Sequence, residues 1–215
     1  MSSETVEQGN PLGYQPIKSM LWKFALPGIL SSLMNAAHNI VDQVFVGQGI
    51  GDLGIAATNI AFPLATITTA LAGMFGMGGA SGFNLALGRG NAEEARKTLG
   101  NGILLLSAVG IAIAAAAVFL LGPMLKLFGV TEAILPYAEP YTRIISLGVP
   151  LGIFATGASY YIRADGSPSY ASATLLSGVI FNMVFDPVFL YVFDLGISGI
   201  ALATVGGQLL STVLA

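Results

Sequence analysis

Five stretches of 19 or more residues in this sequence contain no Asp, Glu, Lys or Arg, and this absence of charge constrains the fold more than any other feature. A helix needs about 20 mostly apolar residues to cross the hydrocarbon core of a bilayer, so each stretch can supply a membrane span. Runs such as 112–121 are continuously apolar, whereas a membrane β-strand alternates apolar and polar residues. The sequence therefore predicts an all-α integral membrane protein. The charge-free stretches are 53–88, 98–125, 144–162, 166–185 and 195–215.

The composition points to the same class of protein. Charged residues make up 9% of the chain and hydrophobic residues 54%, and the mean hydropathy is +0.79. A soluble domain contains about 25% charged residues, and one this poor in charge would expose large apolar patches. The net charge of −3 gives no reason to expect a nucleic-acid partner, and the absence of cysteine excludes disulfides and thiolate metal sites. The expected surroundings are a lipid bilayer.

The chain divides into two predicted parts, a polar N-terminal tail at 1–16 and a transmembrane lobe at 17–215. The stretch 53–88 is too long for one straight span and too short for two, so we expect one long, bent helix there. The last apolar stretch is still running at Ala215, which predicts a chain that ends inside a span. The sequence thus predicts a bundle of six transmembrane helices. Their expected spans are 17–46, 53–88, 92–121, 131–162, 169–191 and 200–215.

The distribution of Lys and Arg predicts the orientation of the chain. Basic residues accumulate in the cytoplasmic loops of membrane proteins. Six lie in the first helix entry and in the 2–3 and 4–5 loops, against two on the opposite side. We therefore expect a multi-pass protein of the cell membrane with a cytoplasmic N-terminus. The first group is Lys18, Lys23, Arg89, Arg96, Lys97 and Arg163, and the second is Lys126 and Arg143.

Two carboxylic acids lie inside predicted spans, where ionisable residues are costly and point to function. At about 1.5 Å per residue, Asp42 lies roughly 28 Å beyond Lys23, and Asp186 roughly 27 Å beyond Pro168. Thr204 enters from the outer side, a few residues into the sixth helix. The three side chains are therefore expected at one level, in the outer half of the bundle.

Each of these residues belongs to a polar stripe along its helix. Residues three, four or seven apart share a helix face, so each stripe should face one direction. Two carboxylates in a poorly hydrated bundle take up and release protons as a coupled pair, and carboxylate and amide oxygens would equally bind Na⁺. The stripes consist of Asn35, His38, Asn39 and Asp42, of Asn182 and Asp186, and of Thr204 and Gln208.

Simpler interpretations stay open for these residues. Asp42 lies about one turn from the end of the first predicted helix, where it could be a solvated interfacial acid. Asp186 has apolar neighbours on both sides, which favours burial. His38 is either a hydrogen-bonded packing residue or a titrating one.

Several short motifs, in this order and spacing, resemble the multidrug and toxic compound extrusion (MATE) family of efflux transporters. The resemblance extends from Ile17 onward. It implies a twelve-helix transporter with two lobes and rocker-switch alternating access, of which this chain matches the N-terminal lobe and lacks the C-terminal lobe. The motifs are Pro27 with Ser31, Ser32 and Asn35; 39–42 with Val46 and Gly47; 88–90; 137–143; 163–168; and 182–187.

The resemblance is nearest to the branch related to the DNA-damage-inducible F proteins, in which a cation site lies inside this lobe. It implies that Asp42, Asn182, Asp186 and Thr204 form a proton or sodium site and that Pro27 marks a bend of the first helix. Asn35, His38, Asn39 and Gln208 are the candidates for the substrate cavity. No metal site is expected beyond Na⁺ at the coupling residues.

The predicted function is export of amphipathic or cationic small molecules coupled to H⁺ or Na⁺, without a cofactor. One alternative is a lipid-linked sugar flippase, although such proteins tend to line their cavity with basic residues. Another is a membrane scaffold that does not transport. A nucleotide site is not expected, because Gly76-Met77-Gly78-Gly79 lacks the lysine of a phosphate loop and lies in an apolar stretch. Nothing in the sequence places a Ser-His-Asp triad together either, so an enzyme is not expected.

Overall fold

The computed structural model describes residues 17–215, which contain helices and no strand. The helices are α1 (Ile17–Gly49), α2 (Asp52–Gly88), α3 (Ala92–Phe119), α4 (Leu121–Leu127), α5 (Leu135–Ala164), α6 (Pro168–Pro187) and α7 (Gly196–Leu214). A π-helical turn, Val188–Val192, extends α6. The predicted tail at 1–16 lies outside the described residues. The prediction of an all-helical lobe is confirmed.

The helix boundaries differ from the predicted spans at several ends; α1, for example, runs to Gly49 rather than to 46. The third predicted span ran to 121, but α3 ends at Phe119 and a short helix, α4, follows it. The fourth predicted span began at 131, but α5 begins at Leu135, because the Thr131 carbonyl accepts bonds from the N–H groups of Ile134 and Leu135 in a preceding turn. The sixth begins at Gly196 rather than at 200.

The connection between α2 and α3 shows how local sequence sets a boundary. Gly90 has a φ of 72°, a conformation that glycine adopts without strain. Asn91 then caps α3, since its Oδ1 accepts from the Glu94 N–H at 3.1 Å and its Nδ2 donates to Glu94 Oε2 at 3.0 Å. The cap at Asn91 therefore sets the start of α3 at Ala92. The stretch 52–88 forms one continuous helix that includes Pro63.

Helix α5 lies at the centre of the bundle and packs against α2, α3, α6 and α7. Glycines allow close contact: a Cβ at Gly76 would lie 2.8 Å from the Cα of Gly157, and one at Gly110 would lie 2.8 Å from the Cα of Pro150. The Tyr161 hydroxyl occupies the space beside Gly79 of α2 and Gly102 of α3, where a Cβ at either glycine would overlap it. Helices α2, α3 and α5 therefore form the tightly packed part of the molecule.

Five helices in the described part of the chain are long and apolar enough to cross a membrane: α2, α3, α5, α6 with its π turn, and α7. Helix α1 is as long as these, but its second half carries the polar stripe that ends at Asp42. Large apolar side chains are exposed on the outer faces of the bundle, including Ile111, Phe62 and Leu104. These surfaces suit contact with lipid, and the chain is a multi-pass membrane protein.

Candidate functional site

Three of the predicted coupling residues meet between α6 and α7. Asn182 Nδ2 donates to Asp186 Oδ1 at 3.1 Å and to Thr204 Oγ1 at 3.1 Å. The Thr204 hydroxyl donates to the Ile200 carbonyl at 3.1 Å, so its oxygen is available as an acceptor. Asp186 is fully buried and Asn182 is nearly so. One amide thus links a buried carboxylate on its own helix to a hydroxyl on the next.

The local sequence explains this meeting. Asn182 and Asp186 are four residues apart and share a face of α6. Helices α6 and α7 approach closely at Gly178 and Gly207, where a Cβ on either glycine would overlap the carbonyl oxygen of the other. This contact, one turn from Asn182, brings Thr204 within hydrogen-bonding distance. Pro187 follows Asp186 at once and ends the α-helical part of α6.

The fourth predicted residue, Asp42, reaches this group from α1. Helix α1 packs mainly on α6, and Asp42 is half-buried there. Its carboxylate lies close enough to interact electrostatically with that of Asp186. We call Asp42, Asn182, Asp186 and Thr204 the polar cluster. Its two acids come from helices on opposite sides of one packing contact.

The polar cluster has three buried oxygens that accept no hydrogen bond: Asp42 Oδ1, Asn182 Oδ1 and Asp186 Oδ2. Buried acceptors without a donor are uncommon in proteins, and three in one cluster indicate an interaction with something other than the chain. A proton on a carboxyl group or a small cation would supply it. The described residues contain no group of three His, Cys, Asp or Glu, so a cation here would be bound by a mixture of carboxylate, amide and hydroxyl oxygens.

The predicted cavity residues of α1 do not join the polar cluster through a hydrogen bond. Asn35 and Asn39 are exposed, and their amides donate to the carbonyls of Ser31 and Asn35 at 3.0 and 2.8 Å. His38 is half-buried, and its Nδ1 is enclosed without a partner. The polar stripe on α1 therefore leads to Asp42, but its asparagine side chains form their hydrogen bonds with backbone carbonyls of α1 itself.

Gln208 and Pro27 also lie apart from the cluster's hydrogen bonds. Gln208 packs on α5, where a Cβ at Gly148 would lie 2.6 Å from its Oε1 and one at Gly152 would lie 3.2 Å from its Nε2. Its Oε1 is buried without a donor. Pro27 lies inside α1, 15 residues before Asp42 and so about 22 Å from it along the axis. Two clefts in the described part of the chain, of about 390 and 340 Å³, are lined by other residues.

The sequence analysis missed three residues that touch this region. Tyr141 of α5 lies close enough to both Asp42 and Asp186 to interact electrostatically with each. Gln43, beside Asp42, forms a hydrogen bond with Thr58 of α2, from Nε2 to Oγ1 at 3.2 Å. Tyr141 and Thr58 each lie within two turns of the end of the bundle at which the two acids lie. The depth estimate made for Asp42 and Asp186 would therefore have placed Tyr141 and Thr58 at the level of the acids.

Comparisons with known proteins agree with this architecture. The MatE family profile matches residues 27–188. The chain is 26% identical over 195 residues to a protein named FAD transporter from Shewanella oneidensis, covering 88% of this chain and 42% of that protein. It is 24% identical over 182 residues to the multidrug export protein MepA of Staphylococcus saprophyticus, covering 84% of this chain and 40% of that protein.

Solved structures share the fold. An outward-facing multidrug resistance MATE transporter superposes with a TM-score of 0.88 at 22% identity, over 96% of this chain and 46% of that one. An inward-facing one gives 0.78 at 24% identity, over 82% of this chain and 40% of that one. The chain therefore spans less than half the length of these relatives and corresponds to their N-terminal lobe. Because the family match covers most of its residues, the chain belongs to the MatE family.

Proposed function

We propose that the full-length protein exports amphipathic or cationic small molecules in exchange for H⁺ or Na⁺, and that this lobe carries the coupling site. The observation that carries the proposal is the set of three buried oxygens without donors in the polar cluster. An ion that is bound there from one side of the membrane and released to the other would supply the driving force. The relatives named as multidrug exporters support the direction of transport.

Each residue of the polar cluster then has a role. Asp186 and Asp42 would carry the proton or share the sodium ion, and Asn182 would hold Asp186 through its 3.1 Å bond. Thr204 would contribute the lone pair of its hydroxyl oxygen that the bond from Asn182 leaves free. The Tyr141 hydroxyl, on the central helix, would interact electrostatically with both acids.

Ion binding at this place can be linked to movement because the two acids lie on different helices. Neutralising one acid removes the repulsion between Asp42 and Asp186 and therefore favours the arrangement in which α1 and α6 are close. Releasing the ion restores the repulsion. Pro27 interrupts the hydrogen-bond ladder of α1 and is the proposed bend, and the N-terminus would lie in the cytoplasm.

The cavity candidates fit a substrate surface to different degrees. Asn35 and Asn39 are exposed and present amide groups on the same helix as Asp42. His38 is half-buried on that stripe, whereas Gln208 is wedged against α5. We propose that the α1 amides meet the substrate, whereas Gln208 packs against the central helix.

One relative favours a second class of cargo. The protein named FAD transporter is 26% identical to this chain, compared with 24% for the MepA protein cited above. A flavin dinucleotide is anionic and aromatic, and exposed amides such as those of Asn35 and Asn39 can bond either an anion or a cation. The predicted flippase and scaffold functions have no comparable observation in their favour.

The test is transport by the full-length protein in proteoliposomes, loaded in separate sets with a fluorescent cationic dye and with FAD. An imposed pH gradient and an imposed Na⁺ gradient are applied in turn. We expect one gradient to drive movement of one cargo, and Asp186→Asn and Asp42→Asn each to abolish it, because the amide cannot take up a proton and holds Na⁺ poorly.

Asp52→Asn is the matched control, since Asp52 is an exposed acid in the first turn of α2. It should transport at the wild-type rate. Gradient-driven transport that survives both cluster substitutions would refute the site assignment. Absence of gradient-driven transport of either cargo by the wild-type protein would refute the proposed function.

A further inference from the structure

A cleft of about 390 Å³ lies between the end of α3, the short helix α4 and the start of α5. Its volume is within the range of small-molecule sites. Its walls combine charged and apolar groups. The charged ones are Lys126, Glu132, Glu139 and Arg143, and the apolar ones include Val118, Phe119, Leu125 and Leu135.

The walls of this cleft are fixed by the core. Leu121 and Leu125 of α4 are buried, and with Ala138 of α5 they form an apolar cluster beneath the cleft. Helix α4 is thus held against α5, although it has only seven residues. A ligand would therefore find the cleft already formed.

The position of the cleft is that of a membrane interface. It lies at the end of the bundle opposite the α2–α3 and α5–α6 connections. Phe119, which ends α3 and lines the cleft, is 84% exposed, and Leu127, which ends α4 and follows Lys126, is 83% exposed. Apolar groups that project outward next to charges indicate the boundary between acyl chains and headgroups.

The charges of the cleft form a balanced set with unused binding capacity. Arg143 Nη2 donates to Glu139 Oε1 at 2.7 Å, and no other bond to the Arg143 guanidinium occurs among the described residues. Lys126 and Glu132 make no ion pair within the described part of the chain. The cleft therefore offers one free cation, one partly free cation and one free anion.

We propose that this cleft binds the headgroup of a phosphatidylethanolamine-type lipid. The phosphate would lie against Lys126 and the free nitrogens of Arg143, and the ammonium would donate to Glu132. A ligand with a single charge would meet two like charges here, whereas a zwitterion complements both signs. The acyl chains would pass along Phe119 and Leu127. This proposal does not depend on the polar cluster or on what the protein transports.

The recognition differs from general attraction to lipid in one chemical detail. An ethanolamine ammonium has N–H donors for the Glu132 carboxylate, whereas the trimethylated choline headgroup has none. Glu132 should therefore discriminate between the two headgroups, and Lys126 should bind the phosphate that both contain.

The experiment is native mass spectrometry of the full-length protein in detergent, titrated with phosphatidylethanolamine, phosphatidylcholine or phosphatidylglycerol of identical acyl chains. We expect the protein to retain one molecule of phosphatidylethanolamine about fivefold more tightly than one molecule of either other lipid. This factor is the effect of one partly exposed ionic hydrogen bond. Glu132→Gln should remove this preference, because it weakens phosphatidylethanolamine binding more than phosphatidylcholine binding. Lys126→Ala should weaken binding of both lipids.

Lys97→Ala and Glu93→Gln are the matched controls, because these residues form an exposed ion pair at the other end of α3. They should retain the lipid preference. Equal retention of the three lipids by the wild-type protein would mean unselective annular lipid and would overturn the proposal. A preference that survives in Glu132→Gln would overturn it as well. Dye or FAD transport measured on the same variants reports on the polar cluster separately.

Discussion

Helices α5 and α1 are of similar length, 30 and 33 residues, and both contain proline, yet they are packed in opposite ways. Helix α5 contacts four other spans and buries side chains along its whole length, from Ala138 to Ala164. Helix α1 packs mainly on α6, and Ser31 and Val46 are the buried ones among its described side chains. One helix is the centre of the bundle, and the other lies at its edge.

This difference in packing between α5 and α1 indicates which helix can change its conformation at the lower cost in free energy. Moving α5 would break contacts with α2, α3, α6 and α7 at once. Several of these contacts are close ones at glycines, where a Cβ would overlap the neighbouring helix. Moving α1 would break few contacts, and segments with few buried apolar contacts open at low free energy. The polar cluster joins this edge helix, through Asp42, to the core residues Asn182 and Asp186. The contrast between the central helix and the edge helix can be tested by substitutions in each.

The largest loss of stability is expected for a substitution at the contact between α2 and the central helix, α5. Gly76→Ala would place a Cβ 2.8 Å from the backbone of Gly157 in α5, so one helix must shift. We expect a loss of about 1–3 kcal/mol in the free energy of unfolding, the usual range for an overpacked core. Thermal unfolding of the purified full-length protein in detergent measures it. An unchanged melting temperature would show that α2 and α5 are not rigidly held.

Next in size is Tyr141→Phe, which removes from α5 the hydroxyl that interacts electrostatically with both acids. We expect ion-coupled transport to fall by about tenfold, equivalent to about 1.4 kcal/mol, with the melting temperature retained. Tyr137→Phe, one turn earlier on the same helix, is the control and should transport normally. Equal loss in both variants would mean a general effect on α5.

A smaller effect is expected at the contact between α1 and α2. Thr58→Val removes the partner of Gln43, with a cost of about 1 kcal/mol. Hydrogen exchange of the α1 backbone near Gln43 should become faster, while exchange in α5 stays the same. If α5 also exchanges faster, α1 is as much a part of the core as α5, and the contrast fails.

The smallest effect is expected for Gly28→Ala in α1, the counterpart of the substitution at Gly76. No atom lies within 4 Å of a Cβ at this position. We expect a loss of no more than about 0.5 kcal/mol in the free energy of unfolding, as for an open surface site, and the higher helix propensity of alanine can turn it into a gain of up to about 1 kcal/mol. A destabilisation as large as that of Gly76→Ala would show that α1 is packed against something at this point.

The sequence was sufficient for the membrane class, for the helices and for part of the polar cluster. Absence of charge determines the spans because lipid excludes charge. Helical periodicity placed Asn182 and Asp186 on one face, and the depth estimate placed Thr204 at their level, where the structure shows the bond. The coupling role of these residues stays a prediction.

The sequence could not supply the features that depend on how helices are rotated against one another. The approach of Tyr141 to both acids follows from the packing of α5 on α6 and of α1 on α6, which no single-helix pattern contains. The break between α3 and α4 was missed because both are apolar and the chain turns without a charged residue. The π turn at Val188–Val192 likewise leaves the apolar pattern of α6 unchanged.

The Tyr161 hydroxyl beside Gly79 and Gly102 has a consequence for how this lobe can evolve. One space, the size of a single atom, is shared by three helices, so a methyl group gained at 79 or 102 is compatible only with a smaller residue at 161. The three positions should therefore show strong epistasis. Among descendants of this sequence, they should be inherited and replaced as a set.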